Sequence, residues 1–197
     1  MRILALLIIF FTTEALFARI DVSTGREEAQ ATEIRQNFES ALDLHRKKKV
    51  GIGLAFGGVA GTVSPNIQMN FALDVGVQVG YGVGKGYQTF FTNVKQLLGT
   101  GSFAPYYGLG YAKWTGTGKD LSGGSSPTAL SEKFLTTTEK RTGEFSENFI
   151  YPSLGVQLYK MGGDWAGSSI YVELIYMMDI EDFVSAPTGS LGYTRFF

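Results

Sequence analysis

From residue 50 to the C-terminus the sequence alternates with a period of two, and one partner in the alternation is usually small. Val50, Ile52, Leu54 and Phe56 alternate with Gly51, Gly53, Ala55 and Gly57. Val63, Pro65, Ile67 and Met69 alternate with polar residues. Phe71, Leu73, Val75, Val77, Val79 and Tyr81 alternate with Ala72, Asp74, Gly76, Gln78 and Gly80. A run over 87–98 is open in phase. Tyr107, Leu109 and Tyr111 alternate with glycine and alanine. Ile150 to Leu158, Ile170 to Met178 and a last run over 189–197 complete the set. A period of two is the signature of strands, and eight such runs of roughly 9–11 residues match the length of a tilted strand that crosses a bilayer.

The two faces of these strands differ in a telling way. One is apolar and aromatic. The other is glycine, alanine, serine and a few polar groups, and glycine supplies 26 of the 197 residues. A soluble barrel needs a charged outer coat, which the second face does not provide. The same face suits the interior of a narrow eight-stranded barrel, where side chains fill the available width. The expected fold is therefore all-β, an eight-stranded antiparallel up-and-down transmembrane barrel over 50–197. A soluble exported barrel that holds a small apolar ligand is the opposite assignment of the same faces.

Two segments precede the barrel. Arg2, the apolar stretch 3–11 and Ala18 have the layout of a secretory signal peptide, expected over 1–18. Residues 19–49 carry much of the charge. Thr24 with Glu27 fits a capping box, Ile34, Phe38 and Leu42 fall on one helical face, and His45-Arg46-Lys47-Lys48-Lys49 ends the segment. The reading is one periplasmic helical arm. Its basic end suits phospholipid head groups as well as the helix C-terminus.

Connection lengths orient the expected barrel. With both termini on the periplasmic side, the connections after strands two, four and six are periplasmic turns. The longest connection, 115–148, then faces outside, and short inside with long outside is the outer-membrane pattern. Asp120 to Glu147 carries charge, Ser, Thr and Gly, with Phe134 and Phe145, and reads equally as an adhesive or receptor surface and as a solvated hairpin above the membrane.

The repeats Gly51-Ile52-Gly53-Leu54-Ala55-Phe56-Gly57-Gly58, Phe71-Ala72-Leu73-Asp74-Val75-Gly76, Pro105-Tyr106-Tyr107-Gly108-Leu109-Gly110-Tyr111 and the ending Leu191-Gly192-Tyr193-Thr194-Arg195-Phe196-Phe197 resemble the small eight-stranded outer-membrane barrels of Gram-negative bacteria, the OmpA/OmpX/OmpW-like group. The resemblance implies residence in the outer membrane, contact with its lipid, and delivery by the barrel-insertion machinery. Leu191, Tyr193 and Phe197 match the family's insertion signal. Arg195 takes an in-phase slot where an apolar residue is usual, and its side chain is expected to snorkel to the interface. The family's functions vary too widely for one to carry over.

Common chemistries are poorly supported. The chain has no cysteine and one histidine, so neither a cysteine zinc site nor a multi-histidine metal site is available. A net charge of -1 does not favour nucleic acid. Gly84-Lys85 and Gly118-Lys119 lack the remaining residues of a phosphate loop. His45, ahead of the first strand, cannot form a barrel-borne pair with serine or aspartate. Asp74, Glu173 and Asp179 share the inward phase and offer carboxylates for acid–base work. The more ordinary reading makes Asp74, Gln78, Gln157, Glu173 and Asp179, with Lys95 able to join, a hydrogen-bonded lumen network. The expectation is a structural or surface-interaction protein, not an enzyme and not an open porin, with no cofactor.

Overall fold

The computed structural model describes residues 37–118 and 129–197. The signal peptide and the arm upstream of residue 37 lie outside the described residues. Eight strands form a closed barrel in which each pairs with its sequence neighbours. They are β1 (Val50–Gly57), β2 (Ser64–Asn70), β3 (Val75–Val83), β4 (Tyr87–Leu97), β5 (Phe103–Gly116), β6 (Ser146–Tyr159), β7 (Ser168–Asp179) and β8 (Ser185–Phe196). β8 closes on β1 with Leu54 opposite Tyr193 and Gly51 opposite Phe196. A short helix, α1 (Ala41–Lys47), precedes β1, and α2 (Ala129–Phe134) and α3 (Thr137–Thr142) lie between β5 and β6.

The alternation sets which way each side chain points. Ile67, Leu109, Leu154, Val172, Leu174 and Leu191 are each half or more exposed on the outer surface. Gln68, Gln78, Asn93, Lys95, Gln157 and Thr194 are buried in the interior. This distribution is the reverse of a soluble barrel with an apolar pocket. The run over 87–98 resolves with Tyr87, Thr89, Phe91, Asn93, Lys95 and Leu97 inward.

Three sequence expectations are corrected. The run beginning at Phe71 turns before it becomes a strand: residues 71–74 make the β2–β3 connection, closed by the Phe71 and Ala72 amides donating to the Val75 carbonyl. Asp74 therefore sits at the barrel end, not in the lumen. The arm is not one helix through residue 49, because Ser40 is the N-cap of α1, its hydroxyl accepting from the Asp43 amide at 3.1 Å. Phe38 lies before that cap, so Phe38 and Leu42 do not share a helical face, and Ile34 lies outside the described residues. The long connection, to which the sequence reading assigns no helix, contains α2 and α3. α3 begins with a capping box between Thr136 and Glu139 and ends at Gly143 in the left-handed region (φ 68°), a backbone that glycine adopts without steric cost.

The glycines have a packing role inside the barrel. Tyr106 is the register partner of Gly155, and Tyr151 of Gly110. Tyr171 faces Gly192, and Phe91 faces Gly80. In each pair the aromatic ring lies where a Cβ on the glycine would stand. Large inward side chains thus lie flat across the wall instead of colliding over the barrel axis.

The outward face sets a direct test. Leu174, 63% exposed, is expected to lose about 2–4 kcal/mol on Leu174→Arg in lipid vesicles, read from the denaturant midpoint. A neutral result would mean that this face does not meet hydrocarbon. Gly108→Leu should fail for a different reason, since even a Cβ there would stand 2.7 Å from Asn93 Oδ1 and 2.8 Å from Ser153 Oγ.

Candidate functional site: a lumen filled in three layers

The middle layer is polar. β4 brings in Lys95, β5 brings Tyr106, β7 brings Tyr171 and Glu173, and β8 brings Ser190. Glu173 Oε2 accepts from the Tyr106 hydroxyl at 2.9 Å, and Oε1 accepts from the Ser190 hydroxyl at 2.7 Å. Lys95 Nζ lies 3.5 Å from Glu173 Oε2, an ion pair longer than a hydrogen bond. The ammonium also stands 4.1 Å from the Tyr171 ring centroid and 4.9 Å from that of Tyr106. Both charges are at least nine-tenths buried. The two ring faces attract the cation, and the two hydroxyls satisfy the carboxylate.

Gln78 Nε2 donates to the Tyr171 hydroxyl at 3.1 Å, which places it in this layer. Gln157 Nε2 donates to Ser169 Oγ at 2.7 Å, nearer the terminal rim. Asp179 is the last residue of β7 at the opposite rim, where it accepts from the Glu181 and Asp182 amides at 2.7 and 3.3 Å. Asp74, in its turn, accepts from Gln96 Nε2 at 3.2 Å. Glu173 thus faces a lysine rather than either of the other two sequence-selected carboxylates. Among the described residues no group of three His, Asp or Glu side chains is arranged to hold a metal. Leu191, Tyr193 and Phe197 lie on the outward face, as their phase requires.

The far layer is aromatic. Trp114, 0% exposed, stacks on Tyr87 at 4.4 Å and meets Phe149 edge-on at 4.9 Å; Phe134 of α2 also meets Phe149 at 4.9 Å. The turn Gly58–Ala60 folds into the mouth, where the Val59 carbonyl accepts from Thr89 Oγ1 at 2.9 Å and Trp114 Nε1 at 3.4 Å.

The near layer is α1. Ala41, Leu44 and His45 are buried, and they fall at i, i+3 and i+4, one face of a helix. Three near-rim turns hold this segment by their carbonyls. The Phe38 amide donates to Met161 at 2.8 Å, the Ala41 amide to Thr100 at 2.7 Å, and His45 Nδ1 to Leu73 at 3.1 Å. A carbonyl only accepts, so Nδ1 carries the imidazole proton and Nε2 accepts from the Tyr159 hydroxyl at 2.9 Å. The ring also packs against Phe196, 5.6 Å between centroids. Sequence reasoning missed this role for His45 because its neighbours Arg46 to Lys49 are all cationic.

No family model matches the chain, and no curated protein matches it. Solved structures are similar to it, among them the following. The N-terminal β-barrel domain of Pseudomonas aeruginosa OprF superposes with a TM-score of 0.52 at 14% identity, covering 75% of this chain and 97% of that domain. The Yersinia pestis outer-membrane protein Ail in a phospholipid bilayer nanodisc gives a TM-score of 0.40 at 12% identity, over 76% of this chain and 99% of Ail. The crystal structure of Ail gives 0.33 at 15% identity, over 76% and 97%.

Two predictions arise from the layers. Lys95→Met strands a buried carboxylate and is expected to cost about 3–5 kcal/mol, whereas Lys95→Met combined with Glu173→Leu should recover most of it. A denaturant double-mutant cycle measures both, and a single substitution costing less than about 1 kcal/mol would remove the ion pair from the account.

Burial lowers the His45 pKa from 6.5 to about 4, opposed by its bond to Leu73 and helped by Lys49. The undocked imidazole therefore binds the proton more readily than the docked one. Docking of α1 is at full strength above about pH 6.5 and weakens as pH falls toward 4, by roughly 3 kcal/mol in all. The protection factors of the α1 amides, exchange rates corrected for the intrinsic pH dependence, should fall across that window and stay flat in His45→Gln. An equal fall in both would place the titration elsewhere.

The alternation, the closed sheet of eight, the filled interior and the superposition on the OprF domain agree: the chain has the fold of the small eight-stranded outer-membrane β-barrels.

Proposed function

We propose that this protein resides in the outer membrane of a Gram-negative cell as a sealed barrel with a structural or surface-interaction role, its termini periplasmic and its long β5–β6 connection outside. The observation that carries the reading is the filling of the lumen at three levels, by α1, by the Lys95–Glu173 layer and by the Trp114 cluster. A general porin needs an open aqueous path, and eight strands leave room only for side chains. The apolar outer wall supports residence in hydrocarbon, where a closed sheet also leaves no unpaired strand edge. In this reading Leu191, Tyr193 and Phe197 are the surface presented to the insertion machinery, and outer-membrane lipid is the constant partner.

Planar-bilayer recording of the mature protein tests the sealed lumen. The expected record shows no stable porin-sized conductance, and sustained conductance of that size would overturn the reading. An epitope inserted at Gly123-Gly124 tests the orientation. It should be reached by antibody on intact cells, and labelling only after the outer membrane is broken would reverse the topology.

A further inference from the structure

At the near rim, Lys48 and Arg195 converge on the β6–β7 turn, where their partners among the described residues are neutral oxygens and, for Lys48, the Phe38 ring at 5.7 Å. Arg195 Nη1 donates to Ser168 Oγ at 2.8 Å, and Nη2 donates to the Asp164 carbonyl at 3.4 Å. Lys48 Nζ donates to the Phe196 carbonyl at 3.2 Å. The lysine chain passes over Gly167, where an added Cβ would stand 3.2 Å from both its Cδ and Nζ. Among the described residues the ion pairs are Asp43 with Arg46 and Lys47, and Glu173 with Lys95. Neither cation at this corner has a carboxylate partner among the described residues. They also feel each other: burial and then the Arg195 charge lower the Lys48 pKa. Keeping two like charges together costs free energy that an anion between them would offset.

The surroundings indicate where that anion comes from. Arg195 is on the outward face of β8, two residues beyond Tyr193, whose hydroxyl shares Ser168 Oγ at 3.0 Å. Trp165, in the same turn, is 59% exposed although the turn is pinned by three backbone hydrogen bonds, from Ala166 to Gly163, from Gly167 to Lys160 and from Ser168 to Trp165. An exposed Trp and a Tyr beside cations at the edge of an apolar wall have the composition of a membrane–water interface. A guanidinium presents donors suited to phosphate oxygens, and an ammonium supplies a compact second charge.

We infer that Lys48, Arg195 and Trp165 form a binding site for the phosphate head group of an anionic phospholipid in the adjoining leaflet, with Trp165 lying against its glycerol and upper acyl region. The inference rests on the proposed membrane residence. Its consequence is that anionic lipid secures the corner where β8, the β6–β7 turn and the chain entering β1 meet.

Trp165 reports on the site directly. The chain has two tryptophans, and the other, Trp114, is 0% exposed in the far layer. The full mature chain is reconstituted in phosphatidylcholine vesicles containing a minor fraction of phosphatidylglycerol, with bromine carried on one lipid or the other. Brominated phosphatidylglycerol should quench Trp165 several-fold more efficiently than brominated phosphatidylcholine at equal mole fraction. Lys48→Gln, which alters no strand residue, should reduce that preference about fivefold, and Lys48→Gln with Arg195→Gln should abolish it. Heat-modifiable gel mobility identifies folded barrels in every sample. Equal quenching by the two lipids, or a preference unchanged in Lys48→Gln, overturns the site. Loss of the preference on adding inorganic phosphate, but not sodium chloride of equal ionic strength, shows a free-phosphate site and overturns the lipid assignment. Absence of quenching by either lipid, with protein separating from floated vesicles, overturns membrane residence and the site with it.

Discussion

An eight-stranded wall encloses a space only as wide as its own inward side chains, and everything inside this barrel is arranged around that width. A ring such as Tyr106 or Tyr171 cannot point along a radius without meeting the ring from across the lumen. Placing glycine at the directly opposed position on the next strand lets the ring lie against the wall. With Gly51 opposite Phe196, five pairings of this kind join β1 to β8, β3 to β4, β5 to β6 twice, and β7 to β8. Cross-strand contact between an aromatic ring and a glycine also contributes to register. A one-residue slip would move the ring to the outer face and the glycine out of its path. The glycine content is therefore tied to interior volume and register more than to turns.

A lumen filled with side chains leaves no bulk water for its polar groups, so they depend on partners within the wall. Glu173 does this with two hydroxyls and an ammonium, while Lys95 is held largely by ring faces. A buried ion pair by itself is weak evidence of stability, because desolvation offsets attraction. Its effect here is on specificity. Charge on β4 must meet charge on β7 across the interior, and a mispaired barrel would leave both unpartnered.

The outward face was legible because an apolar outer wall imposes one requirement on every strand: Ile67, Leu109, Leu174 and Leu191 could be placed from period alone. Interior partnerships were less legible, because they join residues on non-adjacent strands, as Lys95 with Glu173. Asp74 had the inward phase of its run, but period carries no information about where a strand begins, and the backbone turns at Phe71. The arm shows the same limit. Phe38 and Leu42 fit a helical spacing with Ile34, yet the Ser40 cap breaks the series. The face that docks is Ala41, Leu44 and His45, in which a histidine completes an apolar set within a basic run.

The C-terminal residues show how one strand serves two solvents. Leu191, Tyr193 and Phe197 face outward, and these are the positions that period two selects as an insertion signal. Gly192, Thr194 and Phe196 between them face inward and form part of the lumen floor. Phe196 is fully buried, 5.6 Å from the His45 ring and 6.1 Å from that of Tyr159, while the Phe197 amide donates to the Val50 carbonyl at 2.8 Å. Final closure of β8 on β1 therefore places the ring against which α1 docks. Docking cannot be completed before the sheet closes, since one wall of the α1 seat is absent until β8 is in register. The order of assembly thus follows from the alternation: strands first, the last strand against the first, and the plug afterwards.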